Sequence, residues 1–396
     1  MGMVGDEGGN FKFLSENALV AAGVKAQWAG NRGAFQWFPN IRDKEDNMRG
    51  VVFLGERELE LREFPDPTPG PGEVVLEMKA SGMCGSDLKF YRAPRGGGAG
   101  SLGLGSTAGP VIAGHEPCGV VADVGPCVPE EQARPGMRVM CHHYKGCGVC
   151  SHCRVGWSQL CRQGIVVFGA TGNGGHAQYM KVPARTLVPL PDELSFEVGA
   201  AISCGTGTAY GALKRIGLSG RETIAIFGQG PVGLAGTQLA KFMGARVIAL
   251  DVSEERLALA KEFGADVTIN PKKDDPVKAI KDLTHGEGAE LTMDCSGIPD
   301  ARLAAVRSTR TWGTAGLVGE GDKLTVDVSQ DLLRRQLTLM ASWTFSTVGQ
   351  AECARFIVDR RVPAERIFTH RFRLDQAAEA YKLFDRQTTG KGVLLM

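Results

Sequence analysis

The sequence predicts a mixed α/β protein whose later part is a doubly wound parallel sheet. Three observations carry this. From about residue 200, short apolar runs alternate with helical patterns: Ile224–Phe227, Val247–Leu250, Val267–Ile269, Leu291–Met293, Ala315–Val318 and Leu337–Met340 read as strands. Repetition of this kind folds as a parallel sheet with helices on its faces. The first of these runs leads directly into Gly228-Gln229-Gly230-Pro231-Val232-Gly233 and then a helix. Residues 51–190 have another texture. There, β-branched runs such as Val74-Val75-Leu76 and Gly119-Val120-Val121 are cut by Pro and Gly clusters, as in a β-rich region.

Taken in order, residues 1–47 carry scattered Gly and aromatics (Trp28, Phe35, Trp37, Phe38) with no clear period. They are expected to form a weakly ordered extension. Met48 opens Arg-Gly-Val-Val-Phe-Leu, a first strand, so the functional fold is expected to start there. Residues 92–109 are rich in Gly, Ala and Ser and predict a flexible loop, placed to act as a lid. Pro231–Phe242 and Ser253–Phe263 have helical patterns. Two amphipathic helices follow near Val348–Asp359 and Asp375–Phe384, and Gly392-Val-Leu-Leu closes the chain as a strand.

Composition excludes several classes. The 396 residues suggest two to three domains. A net charge of +1 leaves no basic footprint for nucleic acid or an anionic membrane. No apolar run reaches the ~18–20 residues of a membrane span, and the first 20 residues do not read as a signal peptide. Gly is 54 of 396, about twice the usual ~7%. Eleven cysteines are too sparse for a disulfide scaffold and point to metal sites or buried thiols.

The glycine motif has the context that gives it meaning, a strand before and a helix after. Gly228 permits the tight turn, Gly230 lets a pyrophosphate approach the backbone, and Gly233 lets helix and strand pack closely. The anion would rest on the helix N-terminus, at Pro231 and Val232. Asp251, at the end of the next strand, would accept hydrogen bonds from the ribose hydroxyls and repel a 2′-phosphate, favouring NAD. Arg256, five residues on, works the other way and would tolerate NADP. The cysteines Cys147, Cys150, Cys153 and Cys161 fall within 15 residues. Four thiolates close a tetrahedral Zn²⁺ site and leave no open position, so this reads as structural zinc. A redox Cys-x-x-Cys pair would sit at a helix N-terminus near a βαβ unit, whereas this run lies in the β-rich part.

Other candidate ligands are dispersed: Cys84 in Gly82-Met-Cys-Gly-Ser-Asp87, His115 and Glu116 in Gly114-His-Glu, and Cys204 in Ser203-Cys-Gly-Thr-Gly-Thr208. Each alone is ambiguous, and spacing does not unite them. Taken in order with the four-cysteine run and the glycine motif, however, they resemble the zinc-dependent medium-chain alcohol dehydrogenases, over about residues 48–396. That resemblance implies a GroES-like catalytic domain from about 48–200 and 347–396, with a Rossmann NAD-binding domain over 201–346. It implies a catalytic Zn²⁺ held by Cys84, His115 and Cys204, hence two zinc ions per chain, with Glu116 beside the metal and able to enter its coordination. Asp87 resembles the carboxylate that orients His115, and Ser86 the hydroxyl that takes the alcohol proton. Thr208 lies where the family packs a residue against the nicotinamide.

The implied activity is reversible oxidation of an alcohol to an aldehyde or ketone with hydride transfer to NAD. A polyol (sorbitol-type) or threonine-type dehydrogenase of the same family is the alternative. Two other classes weigh less: a zinc-binding scaffold, against which the intact ligands and glycine motif argue, and a zinc-free quinone or enoyl reductase, which lacks both metal sites. One departure stands out. The family commonly places a His five residues after the first ligand, and here that residue is Lys89, so proton exit beyond Ser86 is expected to run through water. His143 and Tyr144 are candidates to line the substrate pocket. Trp312, Trp343 and Phe345 read as core or interface, and Cys118, Cys127, Cys141, Cys295 and Cys353 as buried thiols. The family further implies a cytoplasmic homodimer or homotetramer acting on a small molecule. Its pairing edge would lie near Leu317 and Leu337–Met340.

Overall fold

The computed structural model describes residues 47–97 and 109–396, and before them the backbone of four short strands. The chain divides into two units, Met1–Asn47 and Met48–Met396. In the first, β1 (Gly2–Gly5) pairs antiparallel with β2 (Phe11–Leu14), and β3 (Val24–Ala29) with β4 (Ala34–Pro39). The expectation of weak order for this segment falls largely on residues between these strands, which lie outside the described residues. So does most of the Gly-rich loop 92–109.

The second unit opens with β5 (Asn47–Gly55) and β6 (Glu58–Pro65), which pair with each other. Then come β7 (Glu73–Gly82), β8 (Pro117–Val124), β9 (Arg138–Cys141), β10 (Tyr144–Lys145), β11 (Val166–Val167), β12 (Tyr179–Pro183) and β13 (Leu187–Pro189). The strands β14 (Thr223–Phe227), β15 (Arg246–Leu250), β16 (Val267–Ile269), β17 (Ala289–Asp294), β18 (Thr309–Leu317) and β19 (Thr338–Ala341) follow. Two more, β20 (Phe368–Arg373) and β21 (Lys391–Leu395), end the chain.

These strands make two large sheets. One has the order β13-β9-β8-β7-β21-β20, with β12 also on β7. Its last two strands come from the C-terminus, so this sheet is discontinuous in sequence. The other has the order β16-β15-β14-β17-β18-β19 and is parallel throughout. The order reverses between β14 and β17, and ligands of such sheets bind at that switch point, beyond the carboxyl ends of the strands. Protein of this make-up is α/β, with a GroES-like β-rich part and a Rossmann sheet.

Local chemistry sets the element ends. Pro231 starts the helix Pro231–Phe242 at the position where its missing N–H costs nothing. Ser253 caps the helix Glu254–Glu262 by accepting from the Arg256 N–H. The sheets are joined by the helices Phe196–Ile202 and Gly205–Arg215. One apolar core runs from Met140 and Val188 through Val198, Ile202, Ala209 and Leu213 to Ile224 and Ile226. The break between those helices falls at Cys204. No helix of the described residues is long and apolar enough to cross a membrane. Cys118, Cys141 and Cys353 are buried as expected, whereas Cys295 is only half-buried and Cys127 is exposed on a left-handed turn with φ 62°.

Candidate metal and dinucleotide site

Three chain segments converge where β7 and β8 end. In their antiparallel register Ser81 faces Pro117, and the Gly82 N–H donates to the Glu116 carbonyl at 3.1 Å. This brings the turn after β7 (Cys84, Ser86, Asp87) against the residues before β8 (His115, Glu116). Cys204 arrives from the break between the two connecting helices. The donor atoms of Cys84, His115, Glu116 and Cys204 all lie within 4.8 Å of one another, and all four residues are buried. Cys84 Sγ and Cys204 Sγ are 4.0 Å apart. Ser86 Oγ stands 3.1 Å from His115 Nε2 and donates to Cys84 Sγ at 3.4 Å. Asp87 Oδ1 is 2.8 Å from His115 Nδ1.

The donor set fits a zinc ion. Two sulfurs bound at ~2.3 Å to one tetrahedral ion are about 3.8 Å apart, close to the observed spacing. Asp87 engages Nδ1 of His115 and leaves Nε2 to face the other donors, the usual arrangement for a ligating imidazole. Charge is arranged accordingly. The hydrogen bond from Cys204, and then His115, hold Cys84 well below the ordinary thiol range. Burial opposes a charge on His115, but Asp87 and Cys84 carry its pKa well above the ordinary value. Burial pushes Glu116 up to about 8, and Lys391 limits the rise.

The second cluster is local. The sulfurs of Cys147, Cys150, Cys153 and Cys161 also lie within 4.8 Å of one another, with Cys147 Sγ and Cys153 Sγ 3.9 Å apart. Backbone N–H groups point at the sulfurs: Cys147 N to Cys161 Sγ at 3.2 Å, and Cys150 N to Cys147 Sγ at 3.3 Å. Such donors favour thiolates, and backbone hydrogen bonding draws Cys150 down to about 6. Four sulfurs with no other ligand suit a closed structural zinc.

The glycine motif forms the turn between β14 and its helix. Gly228 has φ 89°, a conformation that favours glycine. A Cβ at Gly233 would lie 1.8 Å from the Gly228 carbonyl oxygen, so close packing requires glycine there. A Cβ at Gly230 would meet nothing within 4 Å; at that position the backbone faces open space, as a phosphate-approach glycine should. Asp251 Oδ2 accepts from the Gln229 N–H at 2.6 Å and Oδ1 from the Ser253 N–H at 2.9 Å. It therefore ties the end of β15 to the glycine turn, and its carboxylate retains further acceptor capacity. Arg256 Nη1 stands 4.0 Å from Asp251, and its Nε donates to the Thr389 carbonyl at 3.4 Å. The metal cluster and the glycine turn meet at Gly205. A Cβ there would lie 3.6 Å from Glu116 Oε1 and 4.0 Å from Val232 Cγ2. Thr208 is buried one helical turn on, its N–H donating to the Cys204 carbonyl at 2.8 Å.

Comparison with known proteins decides the family. Residues 70–192 match the alcohol dehydrogenase GroES-like domain, and residues 231–359 the zinc-binding dehydrogenase domain. The zinc-type alcohol dehydrogenase-like protein YphC of Escherichia coli K12 is 38% identical over 354 residues, covering 88% of this chain and 98% of that protein. The chain belongs to the zinc-dependent medium-chain dehydrogenase family. Sorbitol dehydrogenase of Gallus gallus is 32% identical over 351 residues, covering 87% of this chain and 95% of that one. The structure of acetophenone reductase from Geotrichum candidum in complex with NAD superposes with a TM-score of 0.74 at 27% identity, over 89% of this chain and 98% of that one.

Within this dehydrogenase, sequence reasoning missed Lys391. Its Nζ is 2.5 Å from Glu116 Oε2 and donates to the Met83 carbonyl at 3.1 Å, with both side chains fully buried. The available signal was a lysine leading into the wholly apolar run of β21. Lys89, at the family's relay position, donates to Glu320 Oε2 at 3.3 Å and to the Glu320 carbonyl at 3.4 Å. This pair links the helix Asp87–Arg92 to the loop after β18. His143 and Tyr144 are buried beside the metal donors. The His143 ring is 5.2 Å from His115 and 4.2 Å from Tyr144, which packs on Trp343 at 5.5 Å. Trp343 thus belongs to the aromatic wall of the site rather than the core. Phe345 is buried, and Trp312 is 78% exposed.

Proposed function

We propose that this dehydrogenase is an NAD-dependent zinc alcohol dehydrogenase that interconverts an alcohol with its aldehyde or ketone. The observation that carries the reading is the meeting, at Gly205, of a buried two-sulfur, one-imidazole donor set with a dinucleotide turn. In this reading Cys84, His115 and Cys204 hold a catalytic zinc with Glu116 beside it. Cys147, Cys150, Cys153 and Cys161 hold a structural one. Residues 48–200 and 347–396 form the catalytic domain, and 201–346 the cofactor domain.

When bound, zinc supplies Lewis acidity to an alcohol oxygen and NAD supplies a hydride acceptor. The chain supplies the rest. Gly228, Gly230, Pro231, Val232 and Gly233 seat the pyrophosphate on the helix N-terminus. Asp251 selects an unphosphorylated ribose. Thr208 packs beside the nicotinamide. Asp87 orients His115. Ser86 Oγ, 3.1 Å from His115 Nε2 and 3.4 Å from Cys84 Sγ, takes the proton of the substrate alcohol. Lys89 is engaged with Glu320, so the proton leaves Ser86 through water. His143, Tyr144 and Trp343 shield the reacting carbon from water. Burial holds His143 well below its ordinary pKa, so its ring is neutral.

The eleven free thiols suit a reducing compartment, and a cytoplasmic homodimer or homotetramer completes the reading. The test is a panel of primary, secondary and polyhydroxy alcohols scored by NADH absorbance, with NAD and with NADP. Turnover with at least one alcohol and a preference for NAD is expected. No turnover across the panel contradicts the activity, and a strong NADP preference contradicts the role given to Asp251.

A further inference from the structure

Asp87 has partners beyond the metal donors. Its Oδ2 accepts from the Cys84 backbone N–H at 2.8 Å and from the Tyr381 hydroxyl at 3.0 Å. The Tyr381 hydroxyl is 2.7 Å from His176 Nε2, and His176 Nδ1 is 2.7 Å from Ser81 Oγ. Ser81, His176 and Tyr381 are wholly buried. They come from β7, the loop before β12 and the C-terminal helix Ala377–Phe384.

Counting protons gives this chain one direction. A carboxylate has no proton to give, so the single hydroxyl proton of Tyr381 goes to Asp87. The Tyr381 oxygen therefore accepts from His176 Nε2–H. A neutral imidazole carries one N–H, so Nδ1 accepts, and Ser81 donates to it. At the other end Asp87 accepts from His115 Nδ1–H, which leaves the Nε2 lone pair facing the metal donors. Burial draws His176 down to about 4, and burial with Asp87 holds Tyr381 well above its ordinary range; both keep the forms that this count uses. The ring of His176 also presses on the ligand's own backbone. A Cβ at Gly114, where φ is 88°, would lie 2.3 Å from His176 Nδ1. Only glycine allows that approach at the residue before His115.

We propose that Tyr381 and His176, backed by Ser81, are positioning residues for the catalytic zinc: they hold Asp87, and through it the tautomer and orientation of His115. The proposal rests on the reading of Cys84, His115 and Cys204 as zinc ligands.

The test uses full-length, zinc-loaded protein with dipicolinate as the competing chelator, and follows zinc release from wild type, Tyr381→Phe, His176→Phe and His176→Gln. Residues bonded directly to a ligand, as Asp87 is, typically change metal affinity 10–100-fold. Tyr381 and His176 act through Asp87, so Tyr381→Phe and His176→Phe should release one of the two ions faster by up to about tenfold, the low end of that range. The other ion should leave at the wild-type rate. His176→Gln keeps an N–H for Tyr381 and should stay near wild type. Replacing that ion with Co²⁺ should show altered d–d bands in the two Phe variants. Unchanged release in the Phe variants, with only a lower melting temperature, overturns the proposal and leaves a purely structural role. If neither Phe variant folds, Ser81→Ala is read in the same way: faster release of that one ion supports the proposal, and a wild-type rate overturns it. Wild type that carries no zinc at this cluster overturns the underlying ligand reading and the proposal with it.

Discussion

At the scale of single residues, the site is built from groups in short motifs and from buried partners far away in sequence, such as Lys391 against Glu116. Cys84, Ser86, Asp87, His115, Glu116 and Cys204 could be singled out because each sits in a short motif whose order along the chain is specific. Lys391 could not. Its partner Glu116 lies far away in sequence, and a lysine leading into the apolar run of β21 is a weak signal that fits an exposed strand end equally well. His176 was hidden for a related reason, since a histidine in a Gly-rich loop announces no partner. Its environment has a measurable consequence. Burial holds His176 at about 4, against an ordinary value near 6.5. The fold therefore favours the neutral ring, and the unfolded chain binds more protons between those values. Stability from this group is complete above pH ~6.5 and is lost as pH falls towards ~4, by about 3 kcal/mol. Ser81 and Tyr381 face the ring directly, and of the charged groups Asp87 opposes the lowering while His115 adds to it. His142 and His143, also drawn down by burial, act in the same direction. Urea midpoints measured at pH 7.5, 6 and 5 should fall less steeply for His176→Phe than for wild type. Parallel curves would show that His176 does not carry this share.

At the scale of elements, the alternating half of the chain was the easier to read. The helix Pro231–Phe242 has the bounds its pattern predicts, because a proline at its first position and a glycine just beyond its end mark both limits. The four strands of the N-terminal extension were not seen: Val24, Ala26 and Trp28 alternate with Lys25 and Gln27, but over so short a run, among scattered glycines and aromatics, that the period did not stand out. Among the described residues the last strand of the parallel sheet, β19, has one neighbour, β18. Leu339 on it is 40% exposed. An open edge with exposed apolar side chains is a natural place for another copy to pair. In the proposed homo-oligomer, Leu339→Lys places like charges on both copies of that edge. The variant should sediment as a monomer at micromolar concentration while its circular dichroism stays that of wild type. An unchanged sedimentation coefficient would move the interface elsewhere.

At the scale of the whole molecule, two sheets with different chemistry meet around one break in a helical connection. The discontinuous sheet brings Cys84, His115 and Glu116. The parallel sheet brings the glycine turn at its switch point. The helix pair between them sets Cys204 at the break and Gly205 against Val232. Family resemblance supplied this convergence at the level of sequence, whereas residue spacing by itself left the ligands scattered. Both donor clusters are expected to bind metal, and elemental analysis of purified, dialysed protein tests that most directly. Two clusters predict about two zinc ions per chain, one of them lost in Cys204→Ser. Zinc near zero in the wild-type chain would contradict the account.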